Sequence, residues 1–389
     1  MSGKKSFNLS ETKPSLLIVS HTPLVAHFFL REHIKILGNT FDVLLAHNTN
    51  IDTYCPGVSD LCKEYNLTIQ RRFAIWGDLW AVIQLSKLVT KIRPKVVLSM
   101  TPKSGLIGML VARIFRIGIR VHIFQGEVWP NRTGIVRKLL QFCDALIIRN
   151  STHLLCVSSS ERDLLQRTFR INAGKLELLG KGTICGVKPN FFLNNKEKRK
   201  QAQQIYDVPV NTKVCVYVGR ICEEKGLREL IAAFCQLNHT DRDKRLILVG
   251  PEENFSVTSA LQKWPVDIVD LISIHPFTDD PSLVLSKSDF LCLPSHREGF
   301  GLTIIEAAAM GLPAIGSRIV GISDAIVDNE TGLLHEVKNV SDLSRCMQKM
   351  FDDDTLRREM GRRAKLRAHK YFRQLQVVSL YDDYIRGLK

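Results

Sequence analysis

The chain has 389 residues, with a hydrophobic fraction of 45% and a charged fraction of 24%. These fractions are close to those of an average soluble globular protein. At roughly 100–200 residues per domain, the length predicts two domains, each with a core that needs no disulfide or metal staple. The composition excludes a disordered chain, a collagen-like repeat and a coiled coil as descriptions of the whole molecule.

The formal net charge of +15 is concentrated in the first half of the chain. Residues 1–190 hold 26 Lys and Arg against 12 Asp and Glu, a net charge of +14, whereas residues 191–389 hold 28 against 27, a net charge of +1. Such an asymmetry is typical of a half that meets a polyanion or an anionic membrane surface. We expect an anionic membrane surface as the partner; a solvated basic face without a partner is the alternative.

Cysteine usage and hydropathy indicate the compartment. The ten cysteines form no Cys-x-x-Cys pair, and most lie in apolar runs such as Val214-Cys215-Val216, which favours buried, reduced thiols. Residues 1–13 lack the apolar segment of a signal peptide. No run reaches ~18 uncharged apolar residues, so no membrane-spanning helix is predicted. The expected localisation is cytoplasmic, with peripheral association at the inner face of the cytoplasmic membrane.

Short β-branched runs alternate with amphipathic stretches along the first half. Ser158-Ser159-Ser160-Glu161 is a helix start with capping potential. Strands that alternate with helices indicate βαβ units and a parallel sheet. Strands are predicted at 16–19, 41–45, 96–98, 121–124 and 154–157, with a helix over 25–37.

The second half repeats this pattern, so we predict an α/β protein with two successive doubly wound sheets. Ligands of such sheets bind at the carboxyl ends of strands, here in a cleft between two facing domains. The polar and glycine-rich stretch 185–205 predicts the boundary. The predicted strands are 214–218, 246–249, 271–274, 290–293 and 314–315, with helices over 227–237 and ending at 307–310. The predicted domains are 1–189 and 190–370, with a C-terminal helix, 371–389, that returns to the first domain.

The segment Pro294–Glu306 carries the strongest chemical signal. A strand ends at Leu293, a loop with two glycines follows, and a helix begins near Leu302. Glycines let the backbone approach a ligand, and the helix N-terminus offers N–H groups and a positive dipole end to a phosphate. Glu298 and Glu306 can accept hydrogen bonds from sugar hydroxyls. The alternative is an ordinary strand–loop–helix unit with solvated glutamates.

The segment Gly219–Gly226 is the second signal and directly follows a predicted strand. It places Arg220 and Lys225 in one loop at the carboxyl end of that strand. These side chains can clamp a diphosphate, the arginine by forked hydrogen bonds and the lysine as a point charge. The alternative is a charged surface loop with Arg–Glu pairs.

Both motifs, in this order, resemble the family-4 type of retaining, nucleotide-sugar-dependent glycosyltransferases, which have the GT-B fold. The resemblance continues through Glu306-Ala-Ala-Ala-Met-Gly-Leu-Pro and Asp328-Asn-Glu-Thr-Gly-Leu-Leu. It is dense over 214–336, looser over 150–190, and mostly a pattern of strands and helices in the first half. The chain is most similar to bacterial members that build capsule, O-antigen or exopolysaccharide units on a lipid carrier.

The resemblance implies a hexosyltransferase that moves a sugar from a nucleotide-diphosphate sugar, UDP-linked by preference, to a lipid-linked saccharide. It assigns the diphosphate to Arg220 and Lys225, the donor sugar to Glu298 and the ribose to Glu306. Together, Glu298, Arg220 and Lys225 are the implied catalytic residues. The other implied donor-binding residues are Gly219, His275, Phe277, Gly299, Phe300, Gly301, Leu302 and Thr303, with the base near His275-Pro276-Phe277.

The first half departs from the family pattern in two places. Many members carry a Gly-Gly loop after the first strand, where this chain has His21-Thr22-Pro23. Many carry a histidine before a glycine at the end of the fifth strand, where this chain has Gln125-Gly126-Glu127. His21, Gln125, Gly126 and Glu127 are therefore candidates on the acceptor side.

Two acidic runs could suggest a metal, because another glycosyltransferase fold binds Mn²⁺ through Asp-x-Asp. We interpret both Asp279-Asp280-Pro281 and Asp352-Asp353-Asp354 as helix starts. A donor clamped by arginine and lysine needs no metal, and no His/Cys spacing suggests zinc. We expect metal-independent activity without a cofactor.

The sequence also allows alternative functions. One is a nucleotide-sugar epimerase or a phosphorylase of the same architecture, although no lysine has a pyridoxal-phosphate context. Another is a non-catalytic membrane- or nucleic-acid-binding protein; with an aromatic content of 7% and dispersed basic residues, no nucleic acid partner is expected. The membrane candidate is Pro102–Arg120, where Lys103, Arg113 and Arg116 interrupt an apolar stretch. Its alternative is a core helix with basic ends.

Overall fold

A computed structural model describes residues 13–51, 57–70, 74–172, 174–188, 196–239 and 243–388. The described strands form two sheets, of seven and six strands. The strands of the first sheet are Ser15–Val19 (β1), Asp42–His47 (β2), Lys63–Asn66 (β3), Val96–Met100 (β4), Ile119–Ile123 (β5), His153–Cys156 (β6) and Leu176–Leu178 (β7). Those of the second are Lys213–Val218 (β8), Lys244–Val249 (β9), Ile272–His275 (β10), Phe290–Leu293 (β11), Ala314–Ser317 (β12) and Gly332–His335 (β13).

Helices connect these strands in both parts of the chain. Before β8 they are Pro23–Val25 (α1), Arg31–Leu37 (α2), Ile75–Ile92 (α3), Pro102–Ile114 (α4), Gly134–Asn150 (α5), Ser159–Phe169 (α6) and Lys196–Ile205 (α7), with a π-helix at Ala26–Leu30 and a 3₁₀ turn at Trp129–Asn131. After β8 they are a 3₁₀ turn at Glu223–Lys225, then Leu227–Cys235 (α8), Val257–Leu261 (α9), Val266–Val269 (α10), Pro281–Lys287 (α11), Leu302–Ala309 (α12), Ile322–Ala325 (α13), Val340–Asp352 (α14), Asp354–Tyr371 (α15) and Gln374–Gly387 (α16).

Both sheets have the strand order of a dinucleotide-binding fold. The first runs β3-β2-β1-β4-β5-β6-β7 and the second β10-β9-β8-β11-β12-β13. All five neighbouring pairs of the second sheet are parallel, as are the pairs β1–β2, β1–β4, β2–β3 and β4–β5 of the first. The prediction of two doubly wound α/β sheets is confirmed. In each sheet the strand order reverses beside the first strand, and ligands of such folds bind outside the carboxyl ends at that point.

The chain divides into two compact units. One comprises Met1–Ile123, Phe142–Leu154 and Tyr381–Lys389, and the other Phe124–Gln141 and Leu155–Leu380. The strands of the two sheets separate between 178 and 213, a range that includes the predicted boundary. The predicted domain limits 1–189, 190–370 and 371–389 stay a prediction. Tyr381, near the C-terminus, packs its ring against His33 with centroids 5.1 Å apart.

The central strands are buried on both faces, as parallel strands covered by helices must be. Leu16 and Leu17 of β1 and Val216 of β8 are fully inaccessible to solvent. The described cysteines are all free, and seven of them are buried; Cys55 lies outside the described residues. The predicted burial is thus confirmed for these seven, whereas Cys62 and Cys143 are half-buried. None of the helices in the described ranges is long and apolar enough to cross a membrane.

Candidate functional site

The two chemical motifs occupy adjacent loops of the second sheet. Gly219–Gly226 follows β8 and Pro294–Gly301 follows β11. These strands are neighbours, with Phe290 paired to Cys215 and Leu291 to Val216. The strand order reverses between them, so both loops lie at the position where such sheets bind ligands.

The structure joins two predicted catalytic residues directly. Lys225 Nζ lies 2.5 Å from Glu298 Oε1, and the same oxygen accepts a hydrogen bond of 2.8 Å from the Ser295 hydroxyl. Only 16% of the Lys225 side chain and 15% of the Glu298 side chain are exposed. A cation and a carboxylate are therefore held together, largely shielded from water, where the two loops meet.

Arg220 lies on the same loop but has other partners. Its Nη1 donates to both carboxylate oxygens of Glu253, at 2.9 and 2.7 Å, and its Nη2 donates to Glu224 Oε1 at 3.2 Å. Burial alone would lower the pKa of Arg220, but the hydrogen bonds and charge of Glu253 raise it above its usual value. The arginine is thus permanently charged, and the Arg–Glu pairing named as the alternative is present.

Arg297 links the site loops to the segment after β5. Its Nη1 donates to the carbonyl of Gly126 at 3.0 Å, and its Nη2 contacts both carboxylate oxygens of Glu224 at 3.2 Å. Burial would raise the pKa of Glu224, but the charge of Arg297 holds it below its usual value. This carboxylate therefore bridges Arg220 and Arg297.

Three glycines allow the surrounding loops to touch through their backbones. A Cβ on Gly126 (φ +89°) would lie 2.8 Å from the nitrogen of Gly299, and one on Gly299 would lie 2.7 Å from the carbonyl carbon of Gln125. A Cβ on Gly321 (φ +86°) would lie 2.5 Å from the oxygen of Gly299. The loops after β5 and β12 thus enclose the Glu298-Gly299 backbone from two sides, with no space for side chains.

The carboxylate of Glu161 binds the backbone of the loop after β5. This fully buried carboxylate accepts hydrogen bonds from the backbone nitrogens of Gly126 and Val157, the latter at 2.8 Å, and it hydrogen-bonds the side chain of Glu127. Burial raises the pKa of Glu161 to about 7; its hydrogen bonds oppose this effect and the nearby Asp324 adds to it. Desolvation of this carboxylate therefore favours its protonated form.

The adjoining helix start is fixed in the same way. Ser158 caps α6 by accepting from the nitrogen of Glu161 at 3.3 Å, which confirms the predicted helix start. Asp324 accepts from the nitrogens of Ser159 and Ser160, at 3.0 and 3.2 Å. The Ser160 hydroxyl in turn accepts from the nitrogen of Gly321 at 2.9 Å. One helix N-terminus thus positions the loops after both β5 and β12.

The N-terminus of α12 directly follows the loop that carries Glu298. Gly301 (φ +87°) precedes the first residue of the helix, Leu302, and no described side chain caps the helix. The backbone N–H groups of Leu302 and Thr303 are therefore available to a ligand. Glu306 lies one turn inside, half-buried, and burial raises its pKa to about 7. The Phe300 ring packs against Phe372 with centroids 5.3 Å apart, so only its backbone can serve the site.

The predicted base-binding segment lies at the end of β10. The His275 ring meets Tyr206 edge to face with centroids 4.7 Å apart, and burial lowers the pKa of His275. Phe277 is 37% exposed. Gly219 approaches the neighbouring loop closely, since a Cβ on Gly250 would lie 1.9 Å from the Gly219 carbonyl oxygen.

The acceptor-side candidates fall in different surroundings. His21 Nδ1 lies 3.1 Å from the Thr101 hydroxyl in the first unit. Gln125 and Glu127 lie in the second unit, beside Gly299 and Glu161 respectively. Within the described residues, Gln125 Nε2 is buried without a hydrogen-bond partner, an amide donor that a ligand could satisfy. Glu127 is 4% exposed.

Sequence reasoning missed the residues that hold the predicted ones in place, namely Glu224, Glu253, Arg297, Glu161 and Asp324. Glu224 is only four residues from Arg220 and belongs to the Arg–Glu alternative for that loop. The other four make their contacts over long sequence separations, which no local spacing reveals. Only the Ser-x-x-Glu start of α6 offered a signal for Glu161.

The acidic runs lie at helix boundaries. Asp280 precedes Pro281 at the start of α11, and Asp353 caps α15 by accepting from the nitrogen of Leu356 at 2.8 Å. In the described ranges, no group of three or more His, Cys, Asp or Glu side chains is placed to hold a metal ion.

Comparisons with known proteins match both parts of the chain. The family model described as "Glycosyltransferase Family 4" matches residues 21–183, and that described as "Glycosyl transferases group 1" matches residues 198–367. The chain is 27% identical over 366 residues to the capsular polysaccharide biosynthesis glycosyltransferase CapM of Staphylococcus aureus, covering 91% of this chain and 95% of that protein.

Two further similarities concern substrates and fold. An Escherichia coli UDP-Gal:alpha-D-GlcNAc-diphosphoundecaprenol alpha-1,3-galactosyltransferase is 23% identical over 293 residues, 74% of each chain. The crystal structure of Anabaena HepE in complex with UDP and glucose superposes with a TM-score of 0.80 at 16% identity, covering 96% of this chain and all of that one. This structural likeness extends over nearly the whole fold.

Proposed function

The chain belongs to the family-4 type of glycosyltransferases with the GT-B fold, and we propose that it is a retaining enzyme that uses a UDP-sugar and a lipid-linked saccharide. The observation that carries the proposal is the Lys225–Glu298 pair where the loops after β8 and β11 meet. Arg220 on the same loop and the uncapped start of α12 add positive potential. A diphosphate and its sugar have the chemistry to occupy such a site.

The reaction requires charge stabilisation more than a strong nucleophile. The bond between the anomeric carbon and the phosphate oxygen breaks, and a new bond forms between that carbon and the acceptor oxygen. The acceptor hydroxyl loses its proton to the departing phosphate on the same face, which retains the configuration. Arg220, Lys225 and the first N–H groups of α12 stabilise the negative charge that develops on the diphosphate.

The remaining residues orient the donor. Glu298, held by Lys225, accepts hydrogen bonds from the sugar hydroxyls, and Glu306 accepts them from the ribose. The segment at His275 and Phe277 holds the base. The buried amide of Gln125 donates to the sugar or the acceptor.

The relatives support the choice of substrates. The name of the Escherichia coli relative specifies a UDP-sugar donor and a diphosphoundecaprenol-linked acceptor, and HepE was crystallised with UDP and glucose. CapM is named for capsular polysaccharide biosynthesis. We therefore place this enzyme in the synthesis of a surface polysaccharide on a lipid carrier. Cytoplasmic localisation and peripheral membrane association remain predictions.

The alternatives have less support. Both matching family models describe glycosyltransferases, which argues against an epimerase, a phosphorylase and a non-catalytic basic protein. We further propose that the activity needs no metal, because two cations and a helix N-terminus already face the diphosphate.

Calorimetric titration of the purified protein with UDP, GDP and ADP, with and without Mn²⁺, tests the proposal. We expect one nucleotide, UDP by preference, to bind without metal. Arg220→Ala removes a charge-assisted contact, so affinity should fall about 10- to 100-fold. Glu253→Gln releases Arg220 from its competing carboxylate and should raise affinity.

Arg228→Ala is the matched control, because Arg228 is an exposed arginine that pairs with Glu223 at 2.8 Å just beyond the loop. Its affinity should equal that of the wild type. Binding of no nucleotide, or equal losses in Arg220→Ala and Arg228→Ala, would remove the diphosphate from this loop.

A further inference from the structure

Helix α3 exposes a continuous apolar face to solvent in the first unit. We propose that this face docks the enzyme on the interfacial region of an anionic lipid bilayer. It consists of Ile75, Trp76, Leu79, Trp80 and Ile83, here called the Trp76 face, all of which are exposed. The inference rests on the proposed lipid-linked acceptor and names the surface that brings the enzyme to it.

The spacing shows that these side chains form one surface. Positions 75, 79 and 83 recur every four residues, and positions 76 and 80 lie beside them on a helix of 3.6 residues per turn. The opposite face is buried through Ala81, Leu85 and Val89. Because that face already packs in the unit, the Trp76 face is a second apolar surface that the core does not use.

The aromatic content points to a membrane interface. Trp76 is 83% exposed and Trp80 is 51% exposed, whereas Trp129 is 1% exposed. A contiguous apolar patch of this kind on a folded surface marks an interaction site. Tryptophan prefers the boundary between lipid headgroups and acyl chains, because its ring is apolar and its N–H is polar.

The charge around the helix selects anionic lipid over other occupants. Residues 74–120 contain eight Lys and Arg and a single acidic residue, Asp78. Lys103 Nζ binds that carboxylate at 2.7 Å. Lys87 Nζ lies 5.9 Å from the Trp80 ring centroid, at the edge of the Trp76 face. Anionic headgroups attract such a segment, whereas two copies of it would repel each other.

The structure moves the membrane candidate from α4 to α3. The apolar residues of α4 are mostly buried, among them Ile107, Met109 and Val111. Arg113 donates to the carbonyl of Arg149 at 3.2 Å, and Arg120 donates to that of Asn150 at 2.6 Å. Helix α4 is thus largely a core helix with basic ends, the alternative named for Pro102–Arg120.

Vesicle binding of the full chain tests the proposal. Wild-type protein is sedimented with phosphatidylcholine vesicles that contain or lack phosphatidylglycerol, and its tryptophan emission is recorded. We expect binding to the anionic vesicles with a blue shift and quenching by brominated acyl chains. Trp76→Ser/Trp80→Ser should weaken sedimentation about tenfold or more, because it removes two large apolar side chains from the contact.

Leu366→Ser/Leu375→Ser is the matched control, since both leucines are exposed apolar residues of α15 and α16; its binding should equal that of the wild type. Equal binding by the tryptophan double variant, or wild-type binding without a blue shift, would overturn the proposal. So would an emission already blue-shifted in buffer together with a dimer that the double variant dissolves, because a second copy would then cover the face.

Nucleotide titration of the same samples separates this inference from the proposed function. Nucleotide affinity should be unchanged in Trp76→Ser/Trp80→Ser. Intact nucleotide binding with no vesicle binding by the wild type would refute the docking surface alone, whereas loss of both would refute both.

Discussion

Arg220 and Lys225 share one loop, but they pair with carboxylates that belong to different loops. Lys225 pairs with Glu298, a residue of the neighbouring site loop, so this contact fixes the two loops together. Arg220 pairs with Glu253, which is 33% exposed at the side chain. A diphosphate carries more negative charge than one carboxylate, and it can therefore replace Glu253 at the guanidinium.

Glu161 makes stability depend on pH in a defined direction. Burial raises its pKa from 4.5 to about 7 in the folded chain. Below about pH 4.5 the carboxyl is protonated in both the folded and the unfolded chain. Between that value and about 7 only the unfolded chain loses the proton, so the free energy of unfolding falls as pH rises and levels off above about 7.

Glu161→Gln cannot ionise at this position, so its stability should fall less than that of the wild type between pH 5 and 7. Urea unfolding at half-unit pH steps measures the difference. Glu330→Gln, at an exposed carboxylate, is the control and should follow the wild-type curve. Parallel curves for Glu161→Gln and the wild type would show that Glu161 is ionised throughout this range.

At the scale of elements, the site depends on loops that touch through their backbones. Gly126→Ala should lower the unfolding temperature by several degrees, because the residue has a φ of +89° and its Cβ would lie 2.8 Å from the Gly299 nitrogen. Sugar transfer should fall with it, since the added Cβ would displace the Glu298-Gly299 backbone of the loop after β11. Scanning calorimetry and a transfer assay measure the two effects.

Gly118→Ala is the matched control, since Gly118 is without neighbours within 4 Å of a built Cβ and its unfolding temperature should change little. If Gly126→Ala unfolds at the wild-type temperature and transfers sugar at the wild-type rate, the close approach of the loops has no mechanical role.

The sequence predicted best the central strands, which are mostly buried. The strands β1, β8, β9 and β11 appear as apolar runs, because parallel strands are covered on both faces. By contrast β3, with the polar sequence Lys63–Asn66, lies at a sheet edge, and no apolar run marks it. Edge strands obey weaker hydrophobic constraints, so the apolar pattern marks them less clearly; the edge strand β10 was predicted, at 271–274, whereas β3 was not.

The candidate site was predictable where one strand–loop–helix unit contains the chemistry. Glycines, a helix start and Glu298 follow each other within one segment, so local rules apply to them. The roles of Glu253 and Glu161 were not predicted, because their contacts depend on how separate loops come together. The Trp76 face escaped for another reason, since its apolar residues resemble those of a core helix until the burial of the opposite face is known.

At the scale of the whole molecule, the two sheets share one strand order but differ in what their loops carry. In the second sheet, the loops at the carboxyl ends of β8 and β11 carry the charged site residues Arg220, Lys225 and Glu298. The first belongs to a half of the chain with a net charge of +14, against +1 for the other half. This difference between the two sheets fits the proposal that the donor binds at the second sheet and that the acceptor is delivered at a membrane surface.

The most direct test of the account compares sugar transfer with nucleotide affinity in Glu298→Gln. Transfer from a UDP-sugar to a diphosphoundecaprenol-linked saccharide is followed by UDP release, and UDP affinity is measured by calorimetry on the same protein. We expect transfer to fall about 100-fold or more while UDP affinity changes little, because the proposed function assigns Glu298 to the sugar and not to the nucleotide. Equal losses of transfer and affinity, or transfer at the wild-type rate, would contradict the assignment of the donor to the loops after β8 and β11.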